Sequence, residues 1–508
     1  MKSSRTKNAT RNIIFGLILK IYQIVFPFIM RTVMIYFMGV KYLGLNSLFT
    51  SILQVLNLAE LGVGSAMVYS MYKPIAENDG DKVRKLMNLY KSYYRKIGIV
   101  IAIFGIIFTP FIPKVIKGDV PSELNIYILY LLNLSSTVFS YWLFAYKNSI
   151  LQAFQRNDLI SKVTIITNTI QYFLQLLVII YFKDYYLYVI VLIICQILTN
   201  ILTAIFAQKY YPEFKASGML DVEEKKQINK RIKDLFTARV GSVIVNSIDT
   251  IVISAFLGLT ILAVYQNYYY ILTALIGILS IIYKACTAGI GNSIIMEGKE
   301  KNYKDLKKFT FTISWVICIC TCCLMCLYQP FMELWVGSEY LLDFKVVICF
   351  SLYFYIYEIN QLLCTYKDAA GIWHEDRFRP LITALVNLIL NIIMVNIWGI
   401  YGVILSTVIS TVFIGTPWLI KNLFSTIFDK NQANTFLKNI LKYFLTMICC
   451  LVISYFLLSL IDVGIILKLI CGSIICIIIP TTVYFLLYRK TNEYLEAISF
   501  IKRIIKYK

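Results

Sequence analysis

Apolar residues along this chain gather into fourteen stretches, each close to the ~20 residues an α-helix needs to cross a ~30 Å hydrocarbon core. They run approximately over 12–38, 44–71, 92–113, 124–148, 160–182, 185–207, 234–257, 260–290, 309–329, 344–366, 380–398, 400–425, 439–461 and 464–488. The polar intervals are short, apart from the charged stretch between residues 207 and 233. This pattern predicts an all-α polytopic membrane protein of about 14 transmembrane helices.

Charge orients the ladder. Of the 49 Lys and Arg residues, about 39 fall in alternate intervals, including the cluster Lys73, Lys82, Arg84, Lys85, Lys91, Arg95 and Lys96, the runs 209–233 and 299–308, and both termini. The intervening intervals hold Lys41, Lys114, Lys117, Lys183 and Lys345. Basic loops are retained on the cytoplasmic side, so both termini are expected there, and the loops expected outside are short, the longest about 329–343. The basic N-terminus leads into a span too long for a signal-peptide core and is expected to remain as the first membrane helix. With 59% apolar residues, a mean hydropathy of +0.71 and a net charge of +21, the natural partners of the basic loops are anionic headgroups of the inner leaflet, not nucleic acid.

The sequence is poor in catalytic chemistry. Five of the 13 cysteines, Cys318, Cys320, Cys322, Cys323 and Cys326, lie within the ninth span with no His or carboxylate nearby, so packing is a better account of them than metal binding. The one histidine, His374, sits in a short charged interval where a solvated role is expected. Paired metal-binding aspartates, a His base in a cleft and a glycine-rich phosphate loop are all missing from the sequence, so neither an enzyme nor a cofactor is expected. Transport is what remains for so many spans.

Charges inside the spans carry the functional signal, because each is costly in hydrocarbon. Lys468 is near enough to a span end to reach the surface; Lys20, Arg31, Arg239 and Lys284 are not so easily dismissed. Lys20 and Arg31, eleven residues apart, share a helix face within roughly 20°. Pro27 falls on the same face and is expected to act as a hinge. Acidic companions are Glu60, Asp249 and Glu358, candidates for binding a coupling ion. Arg239, Ser242, Asn246 and Asp249 form one polar seam on the seventh span, and Asn387 and Asn391 are expected to hydrogen-bond between helices. The many tyrosines, Tyr268, Tyr269 and Tyr270 among them, are expected to form an interfacial belt.

The segment FMGVKYLGLNSLFTSIL (37–53) parallels FLGLTILAVYQNYYYIL (256–272) at an offset of 219 residues. The same offset maps the first span onto the seventh. The chain therefore reads as two pseudo-symmetric six-helix lobes plus a C-terminal helix pair: lobes at 1–207 and 234–425, a cytoplasmic linker at 208–233, the pair at 439–488 and an amphipathic tail at 489–508.

The run RTVMIYFMGVKYLGLNSLFTSILQVLNLAELGVGSAMVYSMYKPIAENDGDKVRKLMNLY (31–90) resembles the N-terminal stretch of bacterial polysaccharide-export flippases, the Wzx-like branch of the multidrug/oligosaccharidyl-lipid/polysaccharide exporter superfamily. The resemblance implies a carrier in the cytoplasmic membrane that turns a polyprenyl-diphosphate-linked oligosaccharide outward by alternating access. It also implies a cationic cavity between the lobes, to which Lys20, Arg31, Arg239 and Lys284 are the candidates to contribute. The C-terminal pair would border a lipid-tail groove, and glycosyltransferases and a polymerase would be partners in O-antigen, capsule or exopolysaccharide assembly. An inside-negative potential favours the outward step by roughly 4 to 5 kcal/mol per 100 mV for two charges. The runner-up is a multidrug or organic-cation antiporter of the same fold, which predicts a cavity dominated by carboxylates. A polysaccharide polymerase or ligase is a more distant reading, because the outer loops are short.

Overall fold

The computed structural model describes the backbone of residues 2–118 and 120–506, with side chains described throughout except at 2–11, 13, 238, 242, 246 and 500–506. Among the described residues, 13 helices are long and apolar enough to span a membrane. A further span, the fourth, is a helix pair bent by 49°. The protein is thus a multi-pass membrane protein, and it divides into two compact units, Met1–Ala263 and Val264–Lys508.

The first unit contains α1 (Lys2–Phe37), α2 (Val40–Leu56), α3 (Val63–Ala76), α4 (Gly80–Phe108), α5 (Ile126–Trp142), α6 (Asn148–Ala153), α7 (Asn157–Leu177), α8 (Tyr185–Tyr210) and α9 (Val222–Leu257). Side-chain caps set several starts. Asp79, Asn125 and Asp184 accept backbone N–H bonds at the heads of α4, α5 and α8, at 2.9, 3.0 and 2.7 Å respectively. Packing runs α1 on α7, α2 and α3 on α9, α4 on α5, and α5 and α7 on α8. Small residues let the backbones approach, as where Tyr130 donates to the Gly105 carbonyl at 3.0 Å across α4 and α5.

The second span departs from expectation. It is broken between α2 and α3 by a 3₁₀ turn, Asn57–Glu60, and by Gly62 at φ 88°. Apolar patterning continues unchanged through NLAELG, so the break rests on Gly62, which takes the left-handed conformation without a Cβ clash.

α10 (Leu259–Met296) carries the chain into the second unit, followed by α11 (Lys299–Val336), α12 (Phe344–Ala369), α13 (Arg379–Trp398), α14 (Ile400–Ser410), α15 (Thr416–Thr426), α16 (Gln432–Ser459), α17 (Ile465–Tyr488) and α18 (Asn492–Lys506). A π-helical turn, Thr411–Gly415, joins α14 to α15 in one span. α11 is the hub: it packs on α12, α16, α17 and α18. Its thiols fill those seams, with Cys318 near Cys450 of α16, and Cys323 and Cys326 near Cys476 of α17. Ion pairs Lys307–Glu493 at 3.3 Å and Lys308–Glu496 at 3.4 Å tie α18 to the same helix. Because α11 runs to Val336, the polar interval expected to begin near 329 shrinks to residues 337–343.

The internal repeat has a backbone signature. Gly39, between α1 and α2, has φ 103° and ψ 162°; Gly258, 219 residues later between α9 and α10, has φ 93° and ψ 173°. A side chain is strained in that region, so both repeats need glycine at the same corner.

Candidate functional site

The cationic face of α1 follows from its aromatic face. Phe15, Tyr22 and Phe26 share a face within roughly 40°, and Lys20, Pro27 and Arg31 share another about 140° away. The aromatic face belongs to α7: Tyr22 and Phe26 stack with Tyr172 at 6.0 and 5.7 Å, Tyr22 bonds Thr169 at 2.9 Å, and Lys162 lies over Phe15 at 4.5 Å. The cations are therefore turned away from α7. Lys20 is half-buried with no carboxylate at ion-pair distance among the described residues. Arg31, also half-buried, interacts electrostatically with buried Tyr188 of α8. The helix runs through Pro27 without interruption, although proline removes one backbone donor there.

The break in the second span organises a polar cluster that the sequence pattern does not announce. Glu60 ends the 3₁₀ turn half-buried, and its carboxylate accepts from the Tyr94 hydroxyl at 3.2 Å and lies near the Gly64 N–H. Tyr90 donates in turn to Tyr94 at 2.5 Å, and Tyr141 donates to Asn57 at 3.2 Å. Arg239 of α9 approaches the same place: it interacts with Glu60 and donates to Ser65 at 3.4 Å. The structure thus brings two predicted residues, Glu60 and Arg239, together beside three tyrosines assigned in sequence to no site. The spacing of Tyr90 and Tyr94, four residues apart on one helix face, was the available signal.

In the second unit, Lys284 and Glu358 border one cavity of about 190 Å³ with Ser280, Tyr283, Tyr357 and Gln361. Lys284 is exposed, whereas Glu358 is 0% exposed. No ion pair joins them among the described residues. The Glu358 carboxylate oxygens meet no donor in bonding geometry there, since the Tyr283 hydroxyl is directed at the Glu358 carbonyl oxygen, at 3.1 Å.

Other predicted residues are scattered. Asp249 is buried on α9, and the seam residues Ser242 and Asn246 lie outside the described side chains. Asn387 links α13 to α14 by donating to Thr407 at 2.9 Å. Tyr268 corrects the interfacial-belt reading: it is fully buried and donates to Gln329 at 2.6 Å, because α11 and the 337–343 interval close over it.

The helical fold is similar to that of solved membrane transport proteins. The lipid II flippase MurJ, in an inward closed conformation, superposes with a TM-score of 0.69 at 19% identity, over 94% of this chain and 99% of that one. An inward-facing multidrug resistance MATE family transporter of the MOP superfamily gives 0.59 at 14% identity, over 78% and 92%. A second MATE structure, in complex with MaD5, gives 0.53 at 14% identity, over 82% and 95%. Among curated proteins no sequence match is found. The profile of the family described as polysaccharide biosynthesis protein matches residues 9–288, more than half of the chain, and the chain belongs to that family.

Proposed function

We propose that this protein turns a polyprenyl-diphosphate-linked oligosaccharide from the inner to the outer leaflet of the cytoplasmic membrane for surface polysaccharide assembly, by alternating access. The observation that carries this reading is the cationic face of α1, with Lys20 and Arg31 held away from the α7 interface. A diphosphate drawn toward mid-membrane needs cationic donors in an enclosed, wet space. Arg239 and Lys284 are the proposed further cations, and Pro27 the proposed hinge. Family membership supports the polysaccharide pathway, in which glycosyltransferases and a polymerase are the proposed partners.

The test is leaflet exposure of a labelled polyprenyl-diphosphate oligosaccharide in liposomes. Arg31→Ala is expected to slow flipping by at least about tenfold at matched protein density, the loss of one charge-assisted contact. Wild-type protein that flips nothing but exports organic cations would remove this reading.

That outcome would favour the second reading, an organic-cation antiporter. Its supporting observation is the pair of carboxylates in tyrosine-lined surroundings, Glu60 and Glu358, which suit a cationic guest. Under either reading Glu60, Asp249 and Glu358 are proposed to bind the coupling H⁺ or Na⁺. Neutral substitution of each should then alter the ion dependence of transport, and unchanged dependence removes that residue from the set.

A further inference from the structure

Basic residues outside the candidate site described above gather around a second cavity in the first unit. After α8 the chain folds back, and Tyr211 and Phe214 stack on Phe154 with centroids at 4.2 and 5.5 Å. Two bonds stitch this return down onto α4: Ser217 N–H to the Arg84 carbonyl at 3.3 Å and Asn88 to the Gly218 carbonyl at 2.7 Å. Beneath it is a half-enclosed cavity of about 240 Å³ walled by Tyr146, Tyr211 and Phe214, with Lys147 and Lys215 on its lining. Lys91 stands over the Tyr146 ring at 5.9 Å.

The charge balance here differs from that of the surrounding basic surface. Flanking cations each have a carboxylate partner: Lys82 has Glu224, Arg84 and Lys85 share Asp81, and Arg156 has Asp158. Among the described residues, Lys91, Lys147 and Lys215 have no carboxylate at ion-pair distance. Lys147 instead donates to Gln208 at 3.0 Å and feels the like charge of Lys91. Two partly buried cations held near each other without a counter-charge are unfavourable unless an anion completes the site.

We propose that this cavity binds a phosphate ester, its phosphate between Lys91, Lys147 and Lys215 and its glycerol or sugar against the aromatic wall. Two sources share this chemistry: the headgroup of an anionic phospholipid and a soluble phosphate ester. A basic pocket beside membrane helices is the arrangement that recognises such headgroups.

The test uses the full-length protein in detergent, followed by native mass spectrometry with phosphatidylglycerol, with phosphatidylcholine, and with glycerol 3-phosphate as competitor. Phosphatidylglycerol is expected to bind wild type in preference to phosphatidylcholine, and K91Q/K147Q to weaken it by at least about tenfold, two charge-assisted bonds being lost. K147R, which keeps the charge, should retain binding, and K73Q, at an exposed basic position outside the cavity, should bind as wild type. Displacement by glycerol 3-phosphate at low concentration assigns the site to soluble esters; resistance to it assigns the site to lipid. Equal retention of phosphatidylglycerol by wild type and a folded K91Q/K147Q, or equal binding of the two lipids, overturns the proposal.

Discussion

Carried along the helices, the 219-residue offset pairs Asn57, Leu61, Gly64 and Ser65 of the first unit with Ile276, Ser280, Tyr283 and Lys284 of the second. The first set surrounds a broken span; the second lies on α10, which is continuous. Where Gly62 permits the left-handed turn, its counterpart is β-branched Ile281, which does not. The break leaves the backbone N–H of Gly64 near Glu60, and the carboxylate sits on the second span with the tyrosines on α4 and α5. In the second unit the parts are exchanged: Tyr283 is on the corresponding span and the carboxylate, Glu358, is on α12. Each repeat thus places a carboxylate and a tyrosine near the same level of its bundle. Among the described residues, only the first repeat supplies donors to that carboxylate.

The two units also lock the loop before a helix in related ways. Arg156 pairs with buried Asp158 at 3.0 Å, and Asn12 accepts from the Asp158 N–H. In the second unit Arg379 donates to Asp376 at 2.7 and 2.8 Å, with Asn422 and Lys367 added at 3.3 and 3.7 Å. The largest predicted effect separates these locks. Asp376→Ala leaves the buried Arg379 uncompensated and is expected to cost about 3–5 kcal/mol in unfolding of the detergent-solubilised protein. Asp158→Ala should cost less, because Arg156 is more exposed and also rests over the Tyr210 ring at 4.8 Å. Equal losses would show the two locks to be energetically alike.

The carboxylates should respond with opposite signs. Glu358→Met removes a buried polar group without donors and is expected to stabilise by about 1–3 kcal/mol, whereas Glu60→Met strands the Tyr94 donor and should destabilise by about 1 kcal/mol. Stability changes of the same sign would break the contrast between the units. Gly62→Ala is expected to cost about 1–2 kcal/mol, as a left-handed alanine whose Cβ would lie 2.8 Å from that of Leu235. A loss no larger than for an alanine at Gly16, where the space is open, would mean the break does not depend on Gly62.

The smallest effect is a pH dependence in the second unit. The Tyr401 hydroxyl, bonded at 2.8 Å, and then the Lys345 N–H hold the exposed Asp343 carboxyl below its ordinary 3.8. A lowered folded-state pKa contributes stability that is fully present above the unfolded value and is lost as pH falls through the folded one. Tyr401→Phe should therefore flatten the acid side of the stability profile below about pH 4, with little change in its shape near neutrality. An unaltered acid limb would remove Asp343 from the account.

Span number, helical class and the repeat were legible because bilayer thickness and backbone satisfaction leave hydropathy few alternatives. The shared face of Lys20 and Arg31 was legible from helical period alone. The pairing of Glu60 with Arg239 was not, since it joins residues 179 apart in sequence, and a hydropathy pattern carries no information on which helix faces which. Tyr268 was misplaced for the same reason: its amphipathic side chain suits both a membrane interface and a buried hydrogen bond, and only the packing of α11 selected the latter.

What the sequence determined by itself was the set of membrane helices and the glycine corners Gly39 and Gly258, because burial of backbone polarity and positive φ are local demands. What only the tertiary structure decided was which charges have partners. Glu60 finds donors, Glu358 meets none among the described residues, and Lys147, on the lining of an aromatic cavity, feels the like charge of Lys91, since the energy of a buried charge depends on neighbours brought in from other helices.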